Sequence, residues 1–203
     1  MRELIKDSYR IKLFEHYNEF DNPFLYVTTK IDITNIYNKC RTYYGSIGYF
    51  IALAVNQIDN FRYRYEDGNF YKYDIVNPNF TDMFSDNNIG YFTCEYKNKY
   101  KDFLEEYNSV RDKFIKNNKS YATSKQNEIW LSCAPWYNTS SIVTPFNKNI
   151  TIPQFLWDKF SLENDRCYIN LTIMVHHGFV DGYHIGLFLE KLNNIIENID
   201  DYI

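Results

Sequence analysis

The sequence predicts one α+β domain over residues 1–203, a two-layer arrangement with helices packed on one face of a mixed β-sheet. Three observations lead there. A chain of 203 residues is close to the usual size of one domain and long enough to bury a sizeable core. Its 16 Phe, 20 Tyr and 3 Trp carry more apolar surface than a disordered chain leaves in water. Segments of helical period alternate with short β-branched or aromatic runs, without an internal repeat, a low-complexity linker or a Pro/Ser-rich hinge.

Around Arg10 and Lys12, with Leu13, Phe14 and Tyr17 behind them, an amphipathic look suggests a short helix, and residues 25–33 then read as a strand. The apolar run 45–56 is too long for most strands and free of Pro, which favours a buried helix. Residues 70–76 and 91–96 are β-branched or aromatic and bounded by Asn, Asp, Gly and Pro, the punctuation of strands. Between residues 98 and 118, Phe103, Tyr107, Val110 and Phe114 recur at spacings that let one helical stripe face a core. Residues 128–133 form a short apolar strand, and Pro135 forces a turn just after it. A long β-type run, 166–176, passes through Tyr168, Ile169, Leu171, Ile173 and Val175 and stops at Gly178. Asp181-Gly182 then turns the chain into a helix with Ile185, Phe188, Leu189, Leu192 and Ile196 on one face.

The formal net charge of −4 gives no electrostatic reason to expect nucleic acid as a partner. No charged segment followed by an apolar one opens the chain. The longest apolar stretch, 47–55, is far shorter than the roughly 20 residues that span a bilayer, so no membrane partner is expected and a cytoplasmic location is. Cys40, Cys94, Cys133 and Cys167 show no C-x-x-C spacing, which reads as four buried free thiols rather than a zinc knuckle or redox pair.

The stretch His176-His177-Gly178-Phe179-Val180-Asp181-Gly182-Tyr183-His184 places three of the four histidines and a carboxylate at the exit of a buried strand. An imidazole with a pKa of about 6.5 can accept a proton near neutral pH, and a neutral ring needs its other nitrogen pinned to select one tautomer. A strand end can supply that pin. Paired histidines also serve in cores or as metal ligands. Neighbours on a strand point to opposite faces, so His176 and His177 cannot both line one pocket while the strand persists; no metal is expected.

This stretch resembles the signature H-H-x-x-x-D-G-x-H of the chloramphenicol acetyltransferase family, and the likeness runs over nearly the whole chain. Arg10-Ile11-Lys12-Leu13-Phe14-Glu15 is similar to the family's N-terminal R-x-x-x-F-E, and Lys30-Ile31-Asp32-Ile33-Thr34 to its first strand. Ala54-Val55-Asn56-Gln57 is similar to its first long helix, Ser132-x-x-Pro135-Trp136 to its S-x-x-P-W turn, and residues 153–177 fit without a gap. A lone H-x-x-x-D-G is shared with the acyltransferase cores of dihydrolipoyl enzymes and with peptide-synthesis condensation domains; the joint match is specific.

The resemblance implies a coenzyme A-dependent acyltransferase fold. It further implies a homotrimer with active sites at subunit interfaces, where acetyl-CoA, the cosubstrate, enters a tunnel from one end and an alcohol from the other. Esterifying the 3-hydroxyl of chloramphenicol in a ternary complex would give antibiotic resistance. By the same resemblance His177 is the general base and Ser132 the donor to the oxyanion. Asp181 pairs with Arg10 and supports the loop, Gly182 lies where the backbone enters the helix, and His184 is structural. Tyr17 keeps a pocket tyrosine, while the other acceptor-binding positions fall on Tyr91, Ile142 and Leu156, where the family has two phenylalanines and a threonine. On the coenzyme side, a lysine position falls on Thr42 beside Arg41, which would carry the charge; Lys159 matches, and Phe160 replaces a tyrosine with a face that can still stack. Two other readings remain: a different hydroxylated acceptor on the same fold, or a trimer that only binds a ligand.

Overall fold

A computed structural model describes residues 1–6, 8–123, 125–145 and 147–203. In chain order the elements are β1 (Arg2–Ile5), α1 (Tyr9–Asn18), β2 (Phe24–Asp32), α2 (Thr34–Lys39), α3 (Tyr43–Val55), β3 (Tyr63–Glu66), β4 (Asn69–Tyr73) and β5 (Asn77–Met83). Then follow β6 (Ile89–Thr93), α4 (Tyr100–Asn117), β7 (Glu128–Ala134), β8 (Gln154–Asp158), β9 (Ser161–Glu163), β10 (Arg166–His176) and α5 (Gly182–Glu197). Short 3₁₀ turns occupy Asp59–Arg62 and Ile199–Asp201.

The larger sheet runs in the order β2-β10-β8-β7-β5-β6, with β9 on the start of β10. Strand β10 is antiparallel to both neighbours, whereas β7 is parallel to β8 and to β5, so the sheet is mixed as the sequence predicts. Cys167, Ile169, Leu171, Ile173 and Val175 point into the core, yet Thr172, Met174 and His176 on the opposite side are buried too. The strand thus alternates an apolar core set with a more polar one, Tyr168, Asn170, Thr172 and His176 among it, whose last members are buried as well.

Helix α3 is buried at nearly every residue, the demand of a helix apolar all round. The sheet lies on one side, with α4 and α5 against the others. Close approach to the sheet rests on Gly48, where a Cβ would stand 2.4 Å from the Phe80 ring and 2.9 Å from Leu131. Helix α4 buries Phe103, Tyr107 and Phe114, the expected stripe, and ends at Asn118 in the left-handed region with φ 50°.

A second sheet, β1-β4-β3, departs from the expected single sheet. Its hairpin turns through Asp67 (φ 49°) and Gly68 (φ 79°), a two-residue turn with both residues left-handed. Helix α1 packs on this small sheet, with Phe14 against the Tyr65 and Phe70 rings at 4.7 and 5.2 Å. The strand expected over 70–76 ends at Tyr73, because β5 starts a new direction at Asn77; that expected over 91–96 is Ile89–Thr93. All four cysteines are free, but Cys133 is only half-buried, a correction to the reading of four buried thiols; burial still pushes its thiol up to about 12. No described helix is long and apolar enough to cross a membrane.

Candidate active site

Pairing of β10 with β2 continues to His176, opposite Phe24, so this histidine stays in the core at 2% exposure. Its ring stacks on Phe14 at 4.5 Å, and its Nδ1 accepts the Gly178 N–H at 3.1 Å. Burial, reinforced by the neighbouring His177, pulls its pKa down to about 4, which keeps it neutral. One residue later the strand has ended. The backbone N–H of His177 donates to the Pro23 carbonyl at 2.9 Å, and its half-buried ring stacks on Tyr17 at 4.3 Å and 18°. The nitrogen pinned at the strand end therefore belongs to His176. The buried Nδ1 of His177 has no partner among the described residues, contrary to the expected pin.

Asp181 is the N-cap of α5. Its Oδ1 accepts the N–H groups of Tyr183 and His184 at 3.1 and 3.4 Å and lies 2.7 Å from His184 Nδ1, a reciprocal cap of the helix start. Its Oδ2 accepts Arg10 Nη2 at 2.8 Å. Burial alone would raise this carboxyl; the Arg10 hydrogen bond and the charges of His184 and Arg10 outweigh it and hold the pKa at about 2. Arg10, Phe14 and Tyr17 share one face of α1 and meet the ion pair, His176 and His177 in turn. That crossing is tight: a Cβ on Gly178 would lie 2.4 Å from the Phe14 Cα. Gly182 begins α5, but a Cβ there meets nothing within 4 Å and its φ is not left-handed, so within the chain neither space nor backbone demands glycine.

The face of the sheet away from α3 and α5 carries the next residues. Cross-strand register aligns Thr28, Thr172, Leu156 and Ser132 on one rung, and continuing it places Thr81 and then Tyr91 beyond Ser132. Thr28 and Thr172 share a hydroxyl hydrogen bond of 2.8 Å. Ser132 and Leu156 are half-buried, and Tyr91 is exposed. Ile142 lies half-buried in the connection from β7 to β8, which Asp158 anchors by accepting the Thr139 N–H at 2.9 Å. His177 is five residues past Thr172, about 16 Å along the strand, and Ser132 is two strands away, about 10 Å sideways. One chain therefore does not bring the two together.

Of the positions expected on the coenzyme side, Phe160 lies within an aromatic group. Lys159 and Phe160 leave β8 exposed, and the Phe160 ring lies 5.5 Å from Tyr37 and 6.4 Å from Tyr43. Tyr37 and Tyr43 stack at 5.5 Å and 13°, flanking exposed Arg41 on the turn between α2 and α3. Both tyrosines escaped the sequence reading; their signal is two aromatics bracketing a basic turn. Among the described residues no group of three or more His, Cys, Asp or Glu is placed to hold a metal ion.

Comparison with known proteins bears on the family and the fold. The family model described as chloramphenicol acetyltransferase matches residues 4–193. A chloramphenicol acetyltransferase of Staphylococcus aureus is 34% identical over 214 residues, covering 96% of this chain and 94% of the relative. Chloramphenicol acetyltransferase 3 of Escherichia coli is 28% identical, covering 94% of each. A solved chloramphenicol acetyltransferase superposes with a TM-score of 0.83 at 22% identity, over 97% of this chain and 100% of that one, which supports the acyltransferase fold. The chain belongs to the chloramphenicol acetyltransferase family, a family of acyltransferases.

Proposed function

We propose that the protein acetylates the 3-hydroxyl of chloramphenicol with acetyl-CoA, in a homotrimer whose site is shared between subunits, and so confers resistance to the drug. The observation that carries this reading is the division of the site within one chain. The loop with His177 is braced by Arg10 and Asp181 at one end of the sheet, whereas Ser132 lies on its far face, two strands away. A base from one subunit facing a serine from another restores a site of ordinary size.

His177 Nε2 takes the proton of the acceptor hydroxyl as its oxygen attacks the thioester carbonyl carbon. The carbonyl oxygen becomes negative and accepts a hydrogen bond from Ser132 Oγ. Collapse reforms the carbonyl and breaks the carbon–sulfur bond; the departing thiolate takes the proton back from the imidazolium. A placed base contributes on the order of 10² to 10⁴ in rate, and one oxyanion donor on the order of 10² to 10³. Arg41, Lys159 and the aromatic group of Phe160, Tyr37 and Tyr43 suit the phosphates and adenine of the coenzyme. Neutral His176, held in the core, is the partner that keeps the strand end rigid.

Release of coenzyme A thiol on adding chloramphenicol and acetyl-CoA tests the reading. The wild type turns over, and His177→Ala loses at least about 10² in rate; equal rates would remove His177 from the base role. Sedimentation gives three subunits. Leu156, Ile142 and Tyr91 favour examining other alcohols in the same assay, since one altered polar contact can redirect an acceptor site.

A further inference from the structure

The loop between His176 and Asp181 is held at its two ends by bonds already described and in its middle by a residue from elsewhere in the chain. At the start, the His176 carbonyl accepts the N–H groups of Phe179 and Val180 at 3.0 and 3.1 Å, and the Pro23 carbonyl accepts that of His177 at 2.9 Å. At the far end Asp181 accepts from Arg10 at 2.8 Å. Phe179 lies midway, two residues past the proposed base and two before Asp181. It is 3% exposed, and its ring packs on Phe14 at 5.1 Å and on Tyr63 at 5.9 Å. Its carbonyl is met by the side chain of Asn60, whose Nδ2 donates at 2.8 Å. A buried carbonyl needs such a donor, since water does not reach it to replace one.

Asn60 stands 119 positions from Phe179, in the 3₁₀ turn Asp59–Arg62, and that turn is itself fixed on three sides. Phe61 is fully buried and packs on Phe155 of β8 and Phe188 of α5 at 6.1 and 5.5 Å. Arg62 Nη1 donates to the carbonyls of Tyr73 and Asp74 at 2.9 and 2.6 Å, at the end of β4. Arg64, just after the turn, is fully buried and directs its guanidinium at four carbonyls: Phe61 and Tyr63 at 2.9 and 2.6 Å, Gln126 at 2.7 Å and Glu128 at 2.6 Å. Burial pulls its pKa down to about 9, with the charges of Glu66 and Glu128 among those that oppose the shift, so it stays a cation at neutral pH. Gln126 and Glu128 lie at the entry of β7, and through them the turn is anchored to the larger sheet.

We infer that Asn60 is a positioning residue for His177: by holding the Phe179 carbonyl it fixes the middle of the histidine loop against the core, from a turn that Arg64 anchors at the start of β7. This rests on the acetyltransferase reading above and adds to it a residue that acts through the loop backbone. The Arg10–Asp181 pair ties the loop to α1, which lies on the small sheet, whereas Asn60 ties it to the larger sheet and α5 by way of Phe61 and Arg64. Two tethers on different elements stop the loop from pivoting about either one. A displacement near 1 Å at a reacting group can lower the rate about 10²-fold, so the second tether bears on turnover.

The test uses two variants of the full chain that remove the donor in different ways. Asn60→Asp keeps the shape of the side chain but turns an acceptor toward the Phe179 carbonyl, and Asn60→Leu keeps its approximate size with no polar group. In both, kcat for release of coenzyme A thiol with chloramphenicol falls about 10- to 100-fold at a temperature well below Tm, while KM for acetyl-CoA is unchanged, because Arg41, Lys159 and Phe160 lie on other elements. A role in packing alone spares the isosteric Asn60→Asp, and a role in stability alone lowers Tm without moving the kcat of the folded enzyme. Wild-type kcat in folded Asn60→Asp, with the wild type active, overturns this inference alone, whatever happens to Tm. A wild type that releases no thiol with chloramphenicol overturns the acetyltransferase reading and this inference with it. If Asn60→Asp does not fold, Asn60→Leu decides by the same readouts of kcat, KM and Tm.

Discussion

Replacing Gly178 by alanine tests the crossing of α1 over the histidine loop. The added Cβ would stand 2.4 Å from the Phe14 Cα, 2.7 Å from its nitrogen and 3.0 Å from its Cβ, all on or beside a helix backbone that cannot rotate away. Ordinary carbon contacts need about 3.5 to 4.0 Å, so α1 and the loop must separate by about 1 Å. Overpacking of this kind costs about 1 to 3 kcal/mol, or roughly 2 to 12 °C in Tm at this chain length. The same helix carries Tyr17, stacked on His177 at 4.3 Å, and Arg10, paired with Asp181 at 2.8 Å, so the displacement reaches the proposed base from both sides. A misplacement near 1 Å can lower turnover about 10²-fold. Steady-state thiol release and thermal melting read both effects, with Gly182→Ala, which meets nothing within 4 Å, as the control that changes neither. If Gly178→Ala keeps wild-type turnover and melting, the packing of α1 is not what places His177.

Acid should destabilise the protein through His176: unfolded, its imidazole takes a proton near pH 6.5, whereas folded it resists until about pH 4. Stability therefore falls as pH drops across that window, by up to about 3 kcal/mol, and urea titrations at pH 7, 6 and 5 show a flatter profile in His176→Phe. Asp181→Asn removes the charge opposite Arg10 and lowers stability by about 1 to 2 kcal/mol at pH 7, discounted for the partial exposure of the pair. The contribution it deletes is present above the unfolded value of 3.8 and lost as pH falls through about 2, so wild type and variant converge in acid melts. Leu156→Thr places a hydroxyl beside Ser132 on the same rung; turnover of chloramphenicol rises a few-fold while the KM for acetyl-CoA stays the same.

The elements that could be read from the sequence are those whose periodicity is uniform. Helix α4 repeats Phe103, Tyr107 and Phe114 on one stripe, α3 is mostly apolar, and β10 alternates Cys167, Ile169, Leu171, Ile173 and Val175 with a more polar set. Strand β5 begins Asn77-Pro78-Asn79, a composition that signals a loop. It is a strand because Pro78 pairs in parallel with Ile129 and Asn79 reaches the Glu128 carboxylate, contacts set by distant sequence. The β3–β4 hairpin was legible in Asp67-Gly68, a two-residue turn pair, but its strands are only four and five residues long. At the site, the loop from His176 to His184 is local and its histidines stand out at the end of a strand, whereas the pairing of Asp181 with Arg10, 171 positions apart, followed only from the family resemblance. Ser132 was likewise named by the resemblance, and its distance from His177 needed the strand order, which no local pattern contains.

The far face of the larger sheet shows how that order is fixed. Hydrophobic alternation specifies register poorly where both faces are buried, since a slip of one residue exchanges one apolar set for another. Polar pairs supply the missing specification. Thr28 with Thr172 ties β2 to β10, and Asp158, accepting both the N–H and the Nδ2 of Asn170 at 2.8 and 2.9 Å, ties β8 to β10. Asn79 ties β5 to β7 through Glu128 and to β6 through Thr93. Each slip would leave a buried donor or carboxylate unmet, at about 1 to 3 kcal/mol or more for the charged ones. The rung that holds Ser132, Leu156 and Tyr91 is thus set by hydrogen bonds at four of its junctions, and these pairs give the face a second task beyond packing, that of delivering the three side chains to one line.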